Sequence, residues 1–380
     1  MHVPFNRPLV LGQESDVIAR ALAHGELAGG GAYTKRCEAW LTRHAMTQES
    51  FLTPSCTHAL EMAALLVDVE PGDEVIMPSW TFVSTANAFV LRGAVPVFVD
   101  VRPDTCNLDE ALIEQAITSR TKGIVPVHYA GVSCEMDAIM AIAERYGLWV
   151  IEDAAQAMMA TYKERPLGGI GHLGAYSFHA TKNYTSGGEG GALLIGRAEF
   201  TDRASIIRDK GTNREAFSRG LVSRYQWSDI GSSYLPSEVQ SAALSVQLFR
   251  AEEINQRRVR LWERYYQELE GVCLDRGIHL PVIPENCQHN GHLFYLRCDH
   301  KDLRDRLLSE LLLAGVMAQT HYEPLHLSPA GRKFGRVGGD VGNTVKISDG
   351  LLRLPLYYAL TEEEQGHVIL ELCDLIKRLT

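Results

Sequence analysis

Residues 174–195 read GAYSFHATKNYTSGGEGGALLI, and this stretch decides the fold. An apolar strand ends at Phe178, Lys182 follows in a polar turn, and a glycine cluster leads into a second apolar strand. A lysine held at a strand end beside close-packed backbone can form a Schiff base with a carbonyl compound. By residue type alone, an ordinary surface lysine is the better interpretation, so the assignment depends on the rest of the chain.

The glycine cluster at 187–191 does not indicate a nucleotide-binding loop. Rossmann and P-loop motifs both require a helix after their glycines. Here the run Ala192–Ile195 is typical of a strand instead. A Ser-His-Asp hydrolase is also poorly supported, because the chain has no G-x-S-x-G elbow.

Short apolar runs alternate with helix-like stretches through the first two-thirds of the chain. Strands are predicted at Val75–Met77, Val95–Val101, Gly123–Val127, Leu148–Ile151, Gly174–Phe178 and Ala192–Ile195. Helices are predicted at Thr57–Val67, Phe82–Leu91, Asp109–Ala116 and Glu135–Tyr146. This alternation predicts an α/β protein whose mostly parallel sheet is covered by helices. Such sheets bind ligands at the carboxyl ends of their strands.

The last third of the chain is expected to form a smaller α+β unit. Ser237 and Gln240 form a capping-box pattern after Pro236, and a long helix is predicted from there to about Leu269. Further on, strands are predicted at Leu293–Leu296 and Leu351–Leu356, helices at Lys301–Ala314 and Glu362–Arg378, and a loop at Gly331–Gly342. We therefore expect a large domain over residues 1–249 and a smaller C-terminal domain over residues 250–380.

Composition excludes several classes of protein. With 380 residues, 46% of them apolar, the chain is a folded protein and not a disordered one. Its net charge of −10 argues against a protein that coats nucleic acid or an anionic membrane. Eight scattered cysteines without a C-x-x-C pair indicate reduced thiols. The start lacks a secretory signal pattern and no apolar run reaches the roughly 20 residues of a membrane span, so a cytoplasmic protein is predicted.

Histidine spacing gives no reason to predict a metal site. Two pairs stand close in sequence, and neither has a cysteine or carboxylate in ligand spacing: His289 with His292, and His321 with His326.

Polar or aromatic residues follow three other predicted elements. Asp153 ends a buried strand, where it could keep a pyridinium nitrogen protonated or simply cap a helix. Ser55 and Thr57 lie at a helix start, which is either an anion site or an ordinary cap. Trp80 follows the strand Val75–Met77, and could stack on a flat ring or belong to the core. For each residue taken alone, the role of a helix cap or core residue is a better interpretation than a role in ligand binding.

The order of these segments resembles that of the DegT/DnrJ/EryC1/StrS sugar aminotransferases. The matching segments are Ser-Cys-Thr at 55–57, Pro-Ser-Trp-Thr-Phe at 78–82, Glu-Asp-Ala-Ala-Gln at 152–156, Ser-Phe-His-x-x-Lys-Asn at 177–183 and Gly-Glu-Gly-Gly at 188–191. The resemblance extends from Pro4 to Leu356. It implies the fold-type-I architecture of pyridoxal 5'-phosphate (PLP) enzymes, with a large sheet domain and a smaller C-terminal domain.

The resemblance also implies catalytic roles. Lys182 would hold PLP as a Schiff base and then move the proton as general acid and base. Asp153 would pair with the pyridinium nitrogen. Gln156 would hydrogen-bond near the 3' oxygen of the cofactor, and Trp80 would stack on the pyridine face.

Further implied contacts concern the phosphate and the sugar nucleotide. The phosphate would be held by Thr57, His58, Ser177 and, from the partner subunit, Ser233, which stands where many family members have an asparagine. Contacts to the nucleotide sugar are implied for Lys210, Arg214, Tyr322 and His326.

The resemblance implies a homodimer with its active site at the subunit interface. The expected reaction moves the amino group of L-glutamate to dTDP-4-dehydro-6-deoxy-D-glucose, giving dTDP-4-amino-4,6-dideoxy-D-galactose for enterobacterial common antigen or O-antigen synthesis. Lys182 stands where the sugar dehydratases of the family have histidine, which favours transamination. The alternatives are the gluco epimer as product, or a non-catalytic regulatory protein on the same fold.

Overall fold

The Val- and Ile-rich runs form the strands of one large sheet. The computed structural model of the chain describes residues 1–379. Its strands are β1 (Glu49–Thr53), β2 (Glu74–Pro78), β3 (Val95–Val99), β4 (Thr121–Ile124), β5 (Trp149–Asp153), β6 (Thr161–Tyr162), β7 (Arg165–Pro166), β8 (Leu173–Ser177), β9 (Gly191–Ile195), β10 (Ile278–His279), β11 (Cys287–Gln288), β12 (Phe294–Cys298), β13 (Arg336–Val337) and β14 (Leu351–Leu354).

The large sheet is mostly parallel. Its strands lie in the order β1-β9-β8-β5-β4-β2-β3-β13. The pairs from β8 to β13 are parallel, whereas β9 is antiparallel to both β8 and β1. With helices packed on the sheet, this arrangement confirms the predicted α/β fold.

Helices alternate with these strands and continue through the C-terminal third. They are α1 (Glu14–His24), α2 (Ala32–Ala45), α3 (Cys56–Leu66), α4 (Val83–Val90), α5 (Ile113–Ala116), α6 (Met136–Tyr146), α7 (Thr201–Arg208), α8 (Arg214–Ser218), α9 (Glu238–Phe249), α10 (Ala251–Cys273), α11 (Lys301–Leu313), α12 (Pro329–Phe334), α13 (Gly342–Gly350) and α14 (Glu362–Leu379). Short 3-10 turns lie at Glu110–Leu112, Tyr129–Gly131, Ala198–Phe200 and Leu325–Leu327.

Both faces of the large sheet are buried. Val150 and Ile76 belong to one apolar core, while their chain neighbours Ile151, Val75 and Met77 belong to another. Successive side chains of a strand point to opposite faces, so a sheet covered on both sides requires apolar residues at nearly every position. This explains why the strands were visible as continuous apolar runs.

The C-terminal third builds a second, smaller sheet in the order β10-β12-β14. A third apolar core joins it to α10, α11 and α14, with Leu296, Leu352 and Leu372 among its members. The first residues of the chain also pack here, since Val3 exchanges backbone hydrogen bonds of 2.9 and 3.0 Å with Gly315 and Met317. The domain limits at 249 and 250 stay a prediction.

Two predicted elements are corrected by the structure. The single long helix from Ser237 to Leu269 is instead two helices, because the backbone of Arg250 leaves helical geometry (φ −109°, ψ 20°) between α9 and α10. The predicted loop Gly331–Gly342 contains the end of α12 and all of β13, and β13 joins the edge of the large sheet beside β3. Strand β1, which was not predicted, forms the other edge. Across residues 1–379, no helix combines the length and apolarity needed to span a membrane.

Candidate active site

A cavity of about 960 Å³ opens at the carboxyl ends of β5 and β8, where the small sheet faces the large one. Its walls include six of the predicted site residues, namely Thr57, Asp153, Gln156, Ser177, Lys182 and Tyr322. Asp153 ends β5 and Ser177 ends β8, so the two side chains emerge at the same edge of the sheet. The sheet topology therefore brings together residues that lie about 30 positions apart in sequence.

Lys182 stands in a tight turn just after β8. Its backbone N–H donates to the carbonyl of His179 at 2.9 Å, and Ala180 N–H donates to Gly188 O at 2.7 Å, which ties the turn to the glycine cluster. Burial lowers the pKa of Lys182 from its usual value, and the charge of Arg353 lowers it further, while Asp153 acts in the opposite direction. A lower pKa favours the neutral amine, which is the nucleophilic form.

The Asp153 carboxylate is fixed by donors from two directions. Thr85 Oγ1 donates to Asp153 Oδ2 at 2.6 Å, and the backbone N–H of Ala155 donates to Oδ1 at 3.1 Å. Thr81 Oγ1 lies 2.7 Å from Thr85 Oγ1 and extends this network. Each carboxylate oxygen keeps a free lone pair, so Asp153 can still accept a hydrogen bond from a cation in the cavity.

Gln156 links the loop after β5 to the loop after α11. Its Oε1 accepts the backbone N–H of Ala130 at 2.7 Å, and its Nε2 donates to the hydroxyl of Tyr322 at 2.9 Å. The Tyr322 ring stacks on His321 with 3.7 Å between ring centroids. Tyr322 lines the cavity, and the contact to the nucleotide sugar that the resemblance implies for it stays a prediction.

The start of α3 forms the opposite end of the cavity. Ser55 caps this helix, and Thr57 Oγ1 lies 2.7 Å from Ser84 Oγ. Ser55, Thr57 and Ser177 all line the cavity. Gly191 allows β9 to pass close to the helix start, since a Cβ at this position would lie 2.4 Å from the backbone nitrogen of Cys56. Hydroxyls beside a helix N-terminus form a site for an anionic group.

Other predicted residues lie outside the cavity wall. The His58 ring turns toward Tyr234, and its backbone N–H already donates to Ser55 Oγ at 3.2 Å. Trp80 is only 1% exposed and packs against Tyr129, His321 and Tyr322. In this conformation the Trp80 ring does not face the cavity, and its stacking role stays a prediction.

The remaining predicted contacts are also placed elsewhere. His326 Nδ1 lies 2.7 Å from Ser79 Oγ, below the cavity wall. Lys210 and Arg214 lie on the surface, where both are near the carboxylate of Asp209 (3.0 and 3.7 Å). Ser233 is exposed in the same region, in a bridge to Asp209. This chain alone does not bring these four residues to its own cavity.

Two residues of the cavity wall that contact each other were not predicted from the sequence. Arg353 on β14 and Phe5 near the chain start both line the cavity, with the guanidinium 4.7 Å from the ring centre. Arg353 could have been noticed as the one charged residue inside the apolar run Leu351–Leu356. No sequence pattern indicates Phe5, because its contact Arg353 is nearly 350 positions away in sequence.

The residues present fit PLP. Lys182 offers an amine whose neutral form is favoured, Asp153 offers a fixed carboxylate for a ring nitrogen, and the α3 start with Ser177 offers donors for a phosphate. These groups together match a molecule that carries an anionic phosphate and a protonated ring nitrogen. Among residues 1–379 there is no cluster of three or more histidine, cysteine or carboxylate side chains arranged to hold a metal ion.

Comparison with known proteins agrees with this site. The model of the DegT/DnrJ/EryC1/StrS aminotransferase family matches residues 11–373. The spore coat polysaccharide biosynthesis protein SpsC of Bacillus subtilis is 33% identical over 99% of this chain and 97% of its own length. The aminotransferase TlmJ of Streptoalloteichus hindustanus superposes with a TM-score of 0.91 at 30% identity, over 100% of both chains.

A third protein bears on the cofactor. Spr1654 of Streptococcus pneumoniae, solved in a PLP-form, superposes with a TM-score of 0.91 at 27% identity over 100% of both chains. Its PMP-form superposes with a TM-score of 0.92. By sequence, by fold and by its cavity, this chain belongs to the DegT/DnrJ/EryC1/StrS family of PLP-dependent sugar aminotransferases.

Proposed function

We propose that this aminotransferase transfers the amino group of L-glutamate to C4 of dTDP-4-dehydro-6-deoxy-D-glucose and forms dTDP-4-amino-4,6-dideoxy-D-galactose. The observation that carries the proposal is that Lys182 and Asp153 line the same cavity in a chain of this family. The sugar and the nucleotide are proposed because segments such as Pro71–Arg92 and Asp229–Leu235 resemble those of enzymes that make this product. The configuration at C4 is decided by the product assay.

Five residues of the cavity wall have distinct tasks in the proposed reaction. PLP, when bound, supplies the electron sink that makes the hydrogen on the amino-bearing carbon acidic. Lys182 binds the cofactor and, once its Nζ is free, takes that proton as a base and returns it as an acid. Asp153 pairs with the positively charged ring nitrogen, and Gln156 holds the wall beside it through Tyr322. Thr57 and Ser177 bind the phosphate.

The proposal includes a homodimer whose partner completes each active site. Phe217, Leu221, Tyr225 and Trp227 are 44%, 67%, 55% and 80% exposed in one segment. Large apolar side chains grouped on a surface are typical of interaction sites. The predicted contacts Lys210, Arg214 and Ser233 belong to the same region, so a second copy could receive them while it covers the apolar side chains. The proposed compartment is the cytoplasm, which the free thiols of Cys37 and the other cysteines in residues 1–379 support.

The absorption spectrum of the purified protein tests the assignment as a PLP enzyme. Purified protein supplied with PLP should absorb in the near-violet, and Lys182→Ala should abolish this absorption. Lys163→Ala is the matched control, because Lys163 forms a surface ion pair of 2.6 Å with Asp137 far from the cavity. A wild-type protein that stays colourless would favour the alternative of a regulatory protein on this fold.

The product tests the proposed sugar. Glutamate and dTDP-4-dehydro-6-deoxy-D-glucose should give an axial amine at C4, seen as small proton couplings from H4 to H3 and H5. Large couplings to both neighbours would identify the gluco epimer and refute the galacto assignment. The corresponding UDP sugar, tested in parallel, reports whether the nucleotide is recognised.

A further inference from the structure

His292 is a residue of the cavity wall that the roles assigned above leave unused. It lies just before β12, is 5% exposed and lines the cavity together with Lys182. Its ring is anchored beside that lysine, because His292 Nδ1 lies 2.8 Å from the side-chain oxygen of Asn183, the chain neighbour of Lys182. The loop before β12 thus brings an imidazole to the turn that carries Lys182.

Further hydrogen bonds fix the position of His292. Its backbone N–H donates to Asn290 Oδ1 at 3.1 Å, and its carbonyl accepts from Arg258 Nη2 at 2.9 Å. Asn290 Nδ2 in turn donates to the carbonyl of Gln156 at 2.8 Å. His292 is therefore held between the Lys182 turn and the loop that carries Gln156.

The contacts of Asn183 decide which ring nitrogen of His292 carries the hydrogen. The amide nitrogen of Asn183 lies 3.1 Å from the backbone carbonyl of Asn290, and a carbonyl can only accept, so this atom is the donor. Asn183 Oδ1 then faces the ring and accepts a hydrogen bond from His292 Nδ1–H. A neutral imidazole that has its hydrogen on Nδ1 keeps a lone pair on Nε2.

This Nε2 is an acceptor that is open to the cavity. No group of residues 1–379 forms a hydrogen bond with it, and it is not one of their fully buried unpaired polar atoms. Burial lowers the pKa of His292 well below its usual value, and the charge of Lys182 lowers it further, so the ring is neutral at neutral pH. The lone pair of Nε2 is therefore available to a ligand that offers an O–H or N–H group.

The two substrates of the proposed reaction differ in what they offer to such an acceptor. Apart from the amino group that it gives up, glutamate presents carboxylates, whose oxygens have lone pairs and no hydrogen to donate. The 4-keto sugar carries a hydroxyl on C3, directly next to the carbon that receives the amino group. An acceptor beside the Lys182 turn thus matches the sugar and not the amino acid.

We propose that Nε2 of His292 accepts a hydrogen bond from the 3-hydroxyl of the keto sugar and thereby makes the site selective for sugars that carry this hydroxyl. The inference rests on the proposed aminotransferase function. His292 then acts in the sugar half of the reaction only, because glutamate has no hydroxyl to donate.

Two variants separate the two ring nitrogens of His292. Asparagine places its amide nitrogen near the position of Nδ1, so His292→Asn keeps a donor for Asn183 and loses the acceptor in the cavity. Glutamine is one methylene longer and places its amide near the position of Nε2, so His292→Gln keeps an acceptor there and loses the bond to Asn183. His279→Asn is the control, because His279 pairs with Asp299 at 2.8 Å on the surface.

The assay compares dTDP-4-dehydro-6-deoxy-D-glucose with its 3-deoxy analogue in single turnovers that start from the aminated cofactor. Wild type and His279→Asn should convert the 3-hydroxy sugar roughly 10-fold faster, as expected for one hydrogen bond in a buried site. His292→Asn should favour neither sugar by more than about twofold, while His292→Gln should keep a preference of about threefold or more. The glutamate half-reaction of His292→Asn should stay within about threefold of wild type.

A purely structural role predicts the opposite pattern. If His292 served only to orient Asn183, His292→Asn would keep the preference for the 3-hydroxy sugar and His292→Gln would slow both half-reactions, and this result overturns the inference. If His292→Asn fails to take up PLP, His292→Gln decides, since loss of the preference in that variant also overturns it. A wild type that converts both sugars at equal rates overturns the inference alone, whereas a wild type that converts neither overturns the proposed function as well.

Discussion

At the scale of single residues, Thr85 is the side chain on which the position of Asp153 depends. Its hydroxyl donates to Asp153 Oδ2 at 2.6 Å inside a buried site. We predict that Thr85→Val slows amino transfer roughly 10-fold, because the carboxylate loses a charge-assisted hydrogen bond and its fixed orientation. Single-turnover kinetics with glutamate measure the effect. Thr85→Ser keeps the hydroxyl and serves as control, and equal rates for the two variants would contradict the prediction.

Burial is the main cause of the lowered pKa of Lys182, and charged neighbours adjust that pKa in opposite directions. Arg353 lowers the pKa of Lys182 and Asp153 raises it. Only the neutral amine captures PLP, so capture by the cofactor-free protein should increase with pH up to the pKa of Lys182. Arg353→Gln should move the midpoint of this profile to higher pH and Asp153→Asn to lower pH. Shifts in the same direction for both variants would show that charge is not their cause.

Sequence reasoning found the residues of this site that follow strand ends and missed those that depend on tertiary contacts. Lys182 and Asp153 were identifiable because each stands in a motif directly after an apolar run. Thr85 is 68 positions from Asp153, and only the folded sheet brings them together. Arg353 likewise contacts Thr320 and Phe5, which no local pattern relates to it.

At the scale of elements, Glu74 explains how a two-residue strand joins the large sheet. Local signals at the glycines around β13 favour a loop, and tertiary contacts override them. Arg336 of β13 donates from Nε and Nη2 to the two carboxylate oxygens of Glu74 on β2, at 2.9 and 2.6 Å. Arg120 and Thr118 before β4 bind the same carboxylate. One buried acid therefore fixes the ends of three strands.

This arrangement predicts a pH-dependent contribution to stability. The partners of Glu74, above all Arg336, lower its pKa from 4.5 to about 2. The carboxylate therefore stabilises the fold fully above pH 4.5, and this stabilisation is lost as the pH falls through 2. Glu74→Gln should lower the free energy of unfolding by about 2 kcal/mol at pH 7, below the value for a fully buried pair because both arginines are partly exposed.

Denaturant titrations at two pH values check this prediction. The difference between wild type and Glu74→Gln should be about 1 kcal/mol smaller at pH 3.5 than at pH 7, since unfolded wild type gains a proton in that range. The exposed Glu70 provides the control variant Glu70→Gln, which should stay within about 0.5 kcal/mol of wild type at both values. A difference independent of pH would show that packing, and not the charge of Glu74, is responsible.

At the scale of the whole molecule, an acidic protein must bind anions. The net charge is −10, yet Lys182, Arg353 and the start of α3 line the cavity in which we propose that the phosphate of PLP binds. Coulomb interactions in a partly buried site depend on the nearest charges, because water and salt screen the distant ones. The overall charge thus argues against a protein that coats nucleic acid, but it carries no information about small anions that bind in the cavity.

The proposed dimer gives the last prediction at this scale. If a second copy covers the exposed segment, replacing Trp227, which is 80% exposed, and Leu221 with glutamate should raise the dimer dissociation constant roughly 100-fold, as expected for central interface residues. Sedimentation at several protein concentrations measures this constant. Leu313→Glu is the control, because Leu313 is 82% exposed on α11 in the small unit. Activity should fall with the fraction of dimer, since in the proposed dimer Lys210, Arg214 and Ser233 reach the cavity of the partner. A monomeric double variant with full activity would show that each chain completes its own site.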